Sequence, residues 1–284
     1  MLDQVRIVEV GPRDGLQSIS QSIPTEDKVT YINMLTDAGC PEIEVTSFVS
    51  PKWVPQFADA KEVSSTINQN EQTLYTALVP NLKGLEKALD SHYRSIAIFT
   101  AASETFSQKN TNCTIEESIR RFEEMIPFWE ENNMRVRAYI STCWVCPYEG
   151  DVGAEAVVKV IQDMLDLGVH EISLGDTIGK ATPEDVEYLL EIILDNWPPE
   201  IFALHMHDTY DMAAENITVG LGMGLRILDS SGGGVGGCPY APGASGNIAT
   251  ETVARICKEQ GFDTGIDLDK LKTAGTYIQS IIKS

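Results

Sequence analysis

The sequence predicts an α/β protein folded as one (β/α)8 barrel of the TIM type, with a short C-terminal helical extension. Three observations carry this expectation. Short apolar, β-rich runs recur eight times, and helix start and stop signals lie between them. Eight runs in 284 residues also put the units about 35 residues apart, the length of a strand, a helix and two connections. Eight such units close into a barrel more readily than they spread into an open sheet.

The runs, in order, are Val5 to Val10, Ile43 to Thr46, Thr73 to Val79, Ser95 to Thr100, Arg135 to Ser141, Glu171 to Leu174, Ile201 to Met206 and Leu225 to Asp229. After the first, Thr25 reads as a cap, Glu26 and Asp27 fill the first helical turn, and Val29, Ile32 and Leu35 form an apolar stripe that stops at Gly39. Thr114 and Glu117 form a capping-box pair ahead of Ile119, Phe122 and Ile126. Thr182-Pro183 is a cap followed by proline at the first helical position. The barrel is expected over about 5–256 and a closing helical segment over about 257–284, together one catalytic domain. There is no linker, low-complexity tract or retained repeat.

Subtracting 42 acidic from 21 basic residues leaves a net charge of −21. That argues strongly against a nucleic-acid partner, which needs a concentrated basic face, and disfavours an anionic membrane. With 43% hydrophobic residues the chain can bury a full core. No run approaches the roughly 18 apolar residues of a membrane span. Met1-Leu2-Asp3-Gln4 shows no basic-then-apolar leader, and the strand pattern at Val5 leaves no room for a targeting peptide. Six cysteines are too few for a disulfide scaffold, so a reducing cytoplasm is the expected location. Cys143 and Cys146 have half-site spacing, but no second pair answers them.

Active sites of such barrels lie at the carboxyl ends of the strands. Polar residues there are Arg13 and Asp14, Glu44 and Ser47, Asp176 and Thr177, His205 and His207, then Cys238 and Asn247. Strand alternation puts His205 and His207 on one face and Met206 on the other. Paired imidazoles at a strand terminus suit a divalent metal, with oxygen donors completing the sphere. Asp14 is the natural carboxylate ligand, and Arg13 offers fixed positive charge for an oxyanion. The alternative is an Arg13–Asp14 ion pair that only closes the barrel mouth. Imidazole and oxygen donors without cysteine fit Mg2+ or Mn2+ better than a structural zinc. From Ser230 to Asn247 the chain is rich in glycine around Cys238-Pro239-Tyr240. It reads either as a surface loop or as a hinged segment carrying a thiol for proton transfer. Gly220-Leu221-Gly222-Met223-Gly224 precedes a strand and is no dinucleotide fingerprint.

These residues belong to a wider pattern. Val8-Glu9-Val10-Gly11-Pro12-Arg13-Asp14-Gly15-Leu16-Gln17, Thr46 through Gln56, Pro80-Asn81-Leu82-Lys83-Gly84, Cys146-Pro147-Tyr148-Glu149-Gly150, Ser173 through Gly179, His205 through Tyr210, and Gly236 to Glu251 occur in that order. From Val5 to about Ile281 the chain resembles the hydroxymethylglutaryl-CoA lyase family, whose signature is the Gly-Gly-Cys-Pro-Tyr-Ala loop. The resemblance implies Asp14, His205, His207 and Asn247 as ligands of a divalent metal. It implies Arg13 at the enolate oxygen, Cys238 as the loop thiol, Glu44 and Asp176 as supporting acids, and Asp14 or His205 as proton carrier. Arg13, Gln17, Ser47, Ser173, Thr177, Lys83 and Arg137 are assigned to the substrate. The implied reaction is retro-Claisen cleavage of 3-hydroxy-3-methylglutaryl-CoA to acetyl-CoA and acetoacetate, a step of leucine degradation and ketone body metabolism, by a homodimer.

The chain departs from the family pattern at Ser18-Ile19-Ser20, where Asn-Glu is common, and at Asp211, which adds charge near the rim. Gly233 and Gly234 predict a looser loop. A related 3-hydroxyacyl-CoA such as citramalyl-CoA therefore stays open as substrate. A condensing synthase of the same superfamily and a non-catalytic binding module are the further alternatives. CoA carries phosphates, so so acidic a chain must hold a local basic patch, with Lys52, Lys83, Lys109 and Arg137 as candidates.

Overall fold

Each of the eight apolar runs forms a strand in the computed structural model, which describes residues 3–238 and 241–283 and leaves aside the side chains of 238 and 241–244. The strands are β1 (Arg6–Glu9), β2 (Glu42–Ser47), β3 (Leu74–Leu78), β4 (Ser95–Ala101), β5 (Arg135–Ser141), β6 (Glu171–Asp176), β7 (Phe202–Met206) and β8 (Ile227–Ser230). They pair in parallel in chain order, and β8 returns to β1 to close the barrel. The helices are α1 (Thr25–Asp37), α2 (Ala60–Thr66), α3 (Leu82–Asp90), α4 (Glu104–Thr111), α5 (Ile115–Glu123), α6 (Ile126–Glu131), α7 (Ala154–Asp166), α8 (Pro183–Leu194), α9 (Ala213–Gly222), α10 (Thr250–Glu259) and α11 (Leu268–Ile282).

Alternation along the strands sorts the side chains into two layers. Ile43, Val45, Val136, Ile140, Ile172, Leu174, Leu204 and Leu228 face outward and are buried beneath helix residues such as Ile32, Leu85, Phe122, Ile161, Leu190 and Ile217. Burial of each large aliphatic chain contributes about 1.5–3 kcal/mol, so this shell is the main source of stability. The intervening positions face the barrel interior, where Glu42, Glu44, Arg137, Glu171, His205 and Asp229 are all buried beside a small apolar cluster of Val8, Val10, Ala203 and Ile227. The parallel register makes partners of these groups, setting Arg137 beside Glu171 and His205 beside Asp229.

Helix ends follow local chemistry, with some corrections. Thr114 and Thr182 cap α5 and α8 through capping boxes with Glu117 and Asp185. Thr25 is the first residue of α1 and not its cap. Pro24 holds the cap position, and the Thr25 hydroxyl donates instead to Asp59 Oδ2 at 2.8 Å. Ile126 lies beyond the end of α5 because Pro127, without an N–H, starts a new helix. Residue 257, the expected start of the closing segment, falls inside α10, and the added helix is α11. Cys143 and Cys146 are core contacts: the Cys143 thiol donates to Ile140 O, and Cys146 Sγ accepts from Ser103.

Candidate active site

The site is built from loops that leave the strands at one end of the barrel. Beyond β1 the chain winds into a single wide helical turn, Gly11–Gly15, in which the N–H groups of Arg13, Asp14 and Gly15 all converge on Val10 O. This turn presents Arg13 and Asp14 to the barrel axis. Beyond β7, His207 bridges to Asn247, so the chain returning from the glycine-rich segment brings an amide to the same place. Asn247 Nδ2 donates to Asp14 Oδ2 at 2.8 Å, and His205 Nε2 stands 3.8 Å from that oxygen.

Asp14, His205 and His207 each offer one ligand atom, and the three atoms lie within 4.8 Å of one another. The donor chemistry suits a cation. Burial works against ionising Asp14, but Arg13 and the two imidazoles prevail and hold its carboxyl well below the usual range. Burial, reinforced by His205, lowers His207 to about 4, so its ring is neutral with a lone pair to give. A carboxylate, two imidazoles and the Asn247 amide therefore form a set that fits a divalent ion of the hard or borderline kind.

Behind these donors stands a network of buried charge. Arg13, 5% exposed, donates through Nε to Glu44 and through NH1 to Asp14 Oδ1 at 2.6 Å. Glu44 also accepts from the Tyr139 hydroxyl. Burial raises the Glu44 carboxyl despite the neighbouring Arg13. Asp229 Oδ2 lies 3.1 Å from His205 Nδ1 and accepts from Ser173 Oγ at 2.7 Å, while its other oxygen accepts from Arg137. Burial would raise Asp229, but Arg137 and His205 bring it down to about 2.

The remaining expected residues fall into separate places. Arg137 does not belong to a basic patch for CoA: it is fully buried, and its donors are taken by Glu171, Tyr139 and Asp229. Ser173 is likewise enclosed in the barrel, bonded to Asp229, and does not reach the open rim. Lys52, Lys83 and Lys109 are exposed, the last with its ammonium 3.8 Å from the centre of the Tyr148 ring. Gln17 is exposed, whereas Ser47 is buried and accepts from Val49 N. Thr177 Oγ1 accepts from Thr142 N at 2.8 Å. Asp176 turns to the backbone, accepting from Lys180 N and Ala181 N, and burial raises its carboxyl to about 6. The backbone of Cys238 pairs with the strand Ala241–Ser245, and its side chain lies outside the described residues.

The root of the glycine-rich segment is anchored, contrary to the expected looseness at Gly233. Its N–H donates to Glu251, its carbonyl accepts from Gln279 on α11, and a Cβ there would stand 2.8 Å from the Gly275 backbone. Glycine is needed at this position because φ is +71° and two backbones meet. Three participants were not legible as site residues: Asp229, Tyr139 and Glu9. Each is polar within an apolar run; alternation aims Asp229 and Tyr139 into the interior, whereas Glu9 shares the outward face of Ile7. Glu9 accepts from Gly11 N, Gly232 N and Thr250 Oγ1, so one carboxyl joins the Arg13 turn to the glycine-rich segment. Burial raises it to about 7.

The HMGL-like family model matches residues 4–278. The chain is 48% identical to the cytoplasmic 3-hydroxy-3-methylglutaryl-CoA lyase of Rattus norvegicus over 276 residues, covering 97% of this chain and 80% of that one. The crystal structure of the HMG-CoA lyase from Brucella melitensis superposes with a TM-score of 0.98 at 47% identity, over 99% of this chain and 100% of that one. An A. baumannii HMG-CoA lyase in complex with coenzyme A and 3-methylmalate matches with a TM-score of 0.94 at 35% identity, over 99% and 92% of the two chains. The chain belongs to the HMGL-like family.

Proposed function

We propose that the protein cleaves 3-hydroxy-3-methylglutaryl-CoA to acetyl-CoA and acetoacetate, with a divalent ion, Mg2+ or Mn2+, held by Asp14, His205, His207 and Asn247. The observation that carries this reading is the convergence of the Asp14, His205 and His207 ligand atoms within 4.8 Å beside Arg13. Kinship over nearly the whole of this chain to lyases of this name supports the substrate. The coenzyme A in the A. baumannii relative supports an acyl-CoA in general.

A divalent ion bound there supplies Lewis-acid chemistry that eases loss of a proton from the substrate hydroxyl. In this reading Asp14 or His205 takes that proton; His205 has Nδ1 against Asp229 and Nε2 facing the ligand cluster. Cleavage of the bond between C2 and C3 leaves a ketone and the enolate of acetyl-CoA. Arg13, held in place by Glu44 and Asp14, meets the enolate oxygen. Cys238 returns a proton to the carbon, which assigns the glycine-rich segment its chemical part. Glu44 and Asp176 act by fixing Arg13 and the turn after β6. Gln17, Thr177 and the buried Ser47 are assigned to the acyl-CoA, while Lys52, Lys83 and Lys109 are exposed cations available to the CoA phosphates.

The chain is read as one catalytic domain working as a homodimer in the cytoplasm, without a nucleic-acid or membrane partner. The net charge of −21 and the free, buried state of Cys40, Cys113, Cys143, Cys146 and Cys257 support that setting. No helix among the described residues is long and apolar enough to cross a membrane. The homodimer rests on the family resemblance alone.

The test is to supply purified protein and Mg2+ or Mn2+ with 3-hydroxy-3-methylglutaryl-CoA, citramalyl-CoA and malyl-CoA, and to measure acetyl-CoA release. Release from the first is expected. Cleavage of none defeats the lyase reading, and a preference for citramalyl-CoA overturns the substrate only.

A further inference from the structure

A fully buried arginine at the axis of a barrel is costly unless every donor is matched. Arg137 matches its donors with partners that lead in different directions. Nε donates to Glu171 Oε1 at 2.6 Å, toward the closed end, where Glu171 also pairs with Arg6 and Arg135. NH1 donates to the Tyr139 hydroxyl at 2.8 Å, and that hydroxyl donates in turn to Glu44, the partner of Arg13. NH2 donates to Asp229, which faces Nδ1 of His205. Both guanidiniums lie over the Tyr139 ring, that of Arg137 4.8 Å and that of Arg13 5.2 Å from its centre.

The geometry points to Arg137 as a positioning residue that sets both working arms of the site, fixing the tautomer of His205 through Asp229 and the guanidinium of Arg13 through Tyr139 and Glu44. The tautomer follows from donor counting. Asp229 accepts from Arg137 on one oxygen and from Ser173 and His205 on the other. An ionised carboxylate can only accept, so His205 Nδ1 carries a proton, and in the neutral ring Nε2 keeps its lone pair toward Asp14. Support of this kind orients a metal-binding imidazole.

Asp229→Asn inverts the arrangement at nearly constant shape. Arg137 has no acceptor, so it draws the new amide oxygen to itself and turns the NH2 toward Ser173 and His205. The serine hydroxyl can rotate to accept. His205 Nδ1 can accept only by giving up its proton, which moves to Nε2 and blocks the lone pair that faces Asp14.

The experiment is 15N NMR of the His205 ring in metal-free protein at alkaline pH, with Mn2+ titrations of wild type, Asp229→Asn and Tyr139→Phe. Wild type is expected to carry its proton on Nδ1, and Asp229→Asn on Nε2 with Mn2+ affinity about 10–100-fold weaker. Tyr139→Phe is expected to keep wild-type Mn2+ affinity and lose kcat, because only the Arg13 arm is cut. A wild-type ring protonated at Nε2, an Asp229→Asn protein with undiminished Mn2+ affinity, or unimpaired kcat in Tyr139→Phe overturns the assignment. Only the Mn2+ arm rests on the metal reading of the site: a wild type that binds no Mn2+ defeats that reading, and the tautomer then decides this one. The wild-type spectrum serves alone if Asp229→Asn fails to fold.

Discussion

The inside of this barrel and the shell around it are made by the same strands and obey opposite rules. Outward residues such as Ile172, Leu174 and Leu204 are apolar and packed under helices, while their strand neighbours Glu171, Ser173 and His205 face a polar interior. The shell is non-directional and tolerates small shifts, because apolar burial depends mainly on area. The interior is directional: its charged groups have specified partners, and an unmatched donor or acceptor costs the full desolvation of that group. Stability and site geometry are thereby assigned to opposite faces of one sheet, and substitutions on the two faces should fail in different ways.

The largest effects belong to the interior at the rim. His205→Ala removes an imidazole from the three-donor cluster and should weaken Mn2+ binding by roughly 100-fold, with thermal unfolding little changed. An unchanged titration would remove His205 from the ligand set. Cys238→Ala should lower turnover by about 10²-fold or more while Mn2+ affinity stays at the wild-type value. An unimpaired rate would remove that thiol from the reaction. The shell should show the converse. Leu204→Ala opens a cavity beneath the helices and should cost about 2–5 kcal/mol in a denaturant titration, leaving Mn2+ affinity intact. A metal site lost along with stability would show that the two layers are not separable.

Glu9 offers a finer comparison, being a carboxyl buried on the helix-facing side of β1 with a folded pKa raised from 4.5 to about 7 by burial. A raised carboxyl favours the folded state while protonated. Its contribution is complete below the unfolded value and is lost as pH rises through about 7, on the order of 3 kcal/mol in all. Wild type should therefore lose more stability between about pH 5 and 8 than Glu9→Gln does in parallel melts, and equal slopes would rule out this role. The smallest effect is expected on the surface. Arg120→Ala breaks an exposed pair with Glu116, 62% and 80% exposed, and should leave both stability and turnover unchanged within error.

The two layers also differ in how far they could be read in advance. All eight strands were legible because the shell writes its apolar residues into the sequence at regular spacing. The clustering of His205 and His207 was legible because the two alternate around Met206 at a strand end. The supporting network was not. Asp229 closes an apolar run and Tyr139 sits within one, and no local pattern says that their neighbours across the barrel are His205 and Glu44. Arg137 read as a surface cation for the same reason, since only closure of the barrel encloses it with Glu171 and Asp229. Thr25 had the composition of a cap, but a tertiary partner, Asp59, took its hydroxyl. Gly233 read as freedom and is a close backbone contact with Gly275.

The central claim is that a charged barrel interior holds Asp14, His205 and His207 as a divalent-metal centre for cleavage of an acyl-CoA. It is tested most directly by stripping the protein of metal, adding Mn2+ in steps, and following occupancy and acetyl-CoA release from 3-hydroxy-3-methylglutaryl-CoA in the same samples. No release from the stripped protein, and recovery in proportion to one bound ion per chain, is the predicted result. Undiminished release without metal, or full occupancy without release, would contradict it.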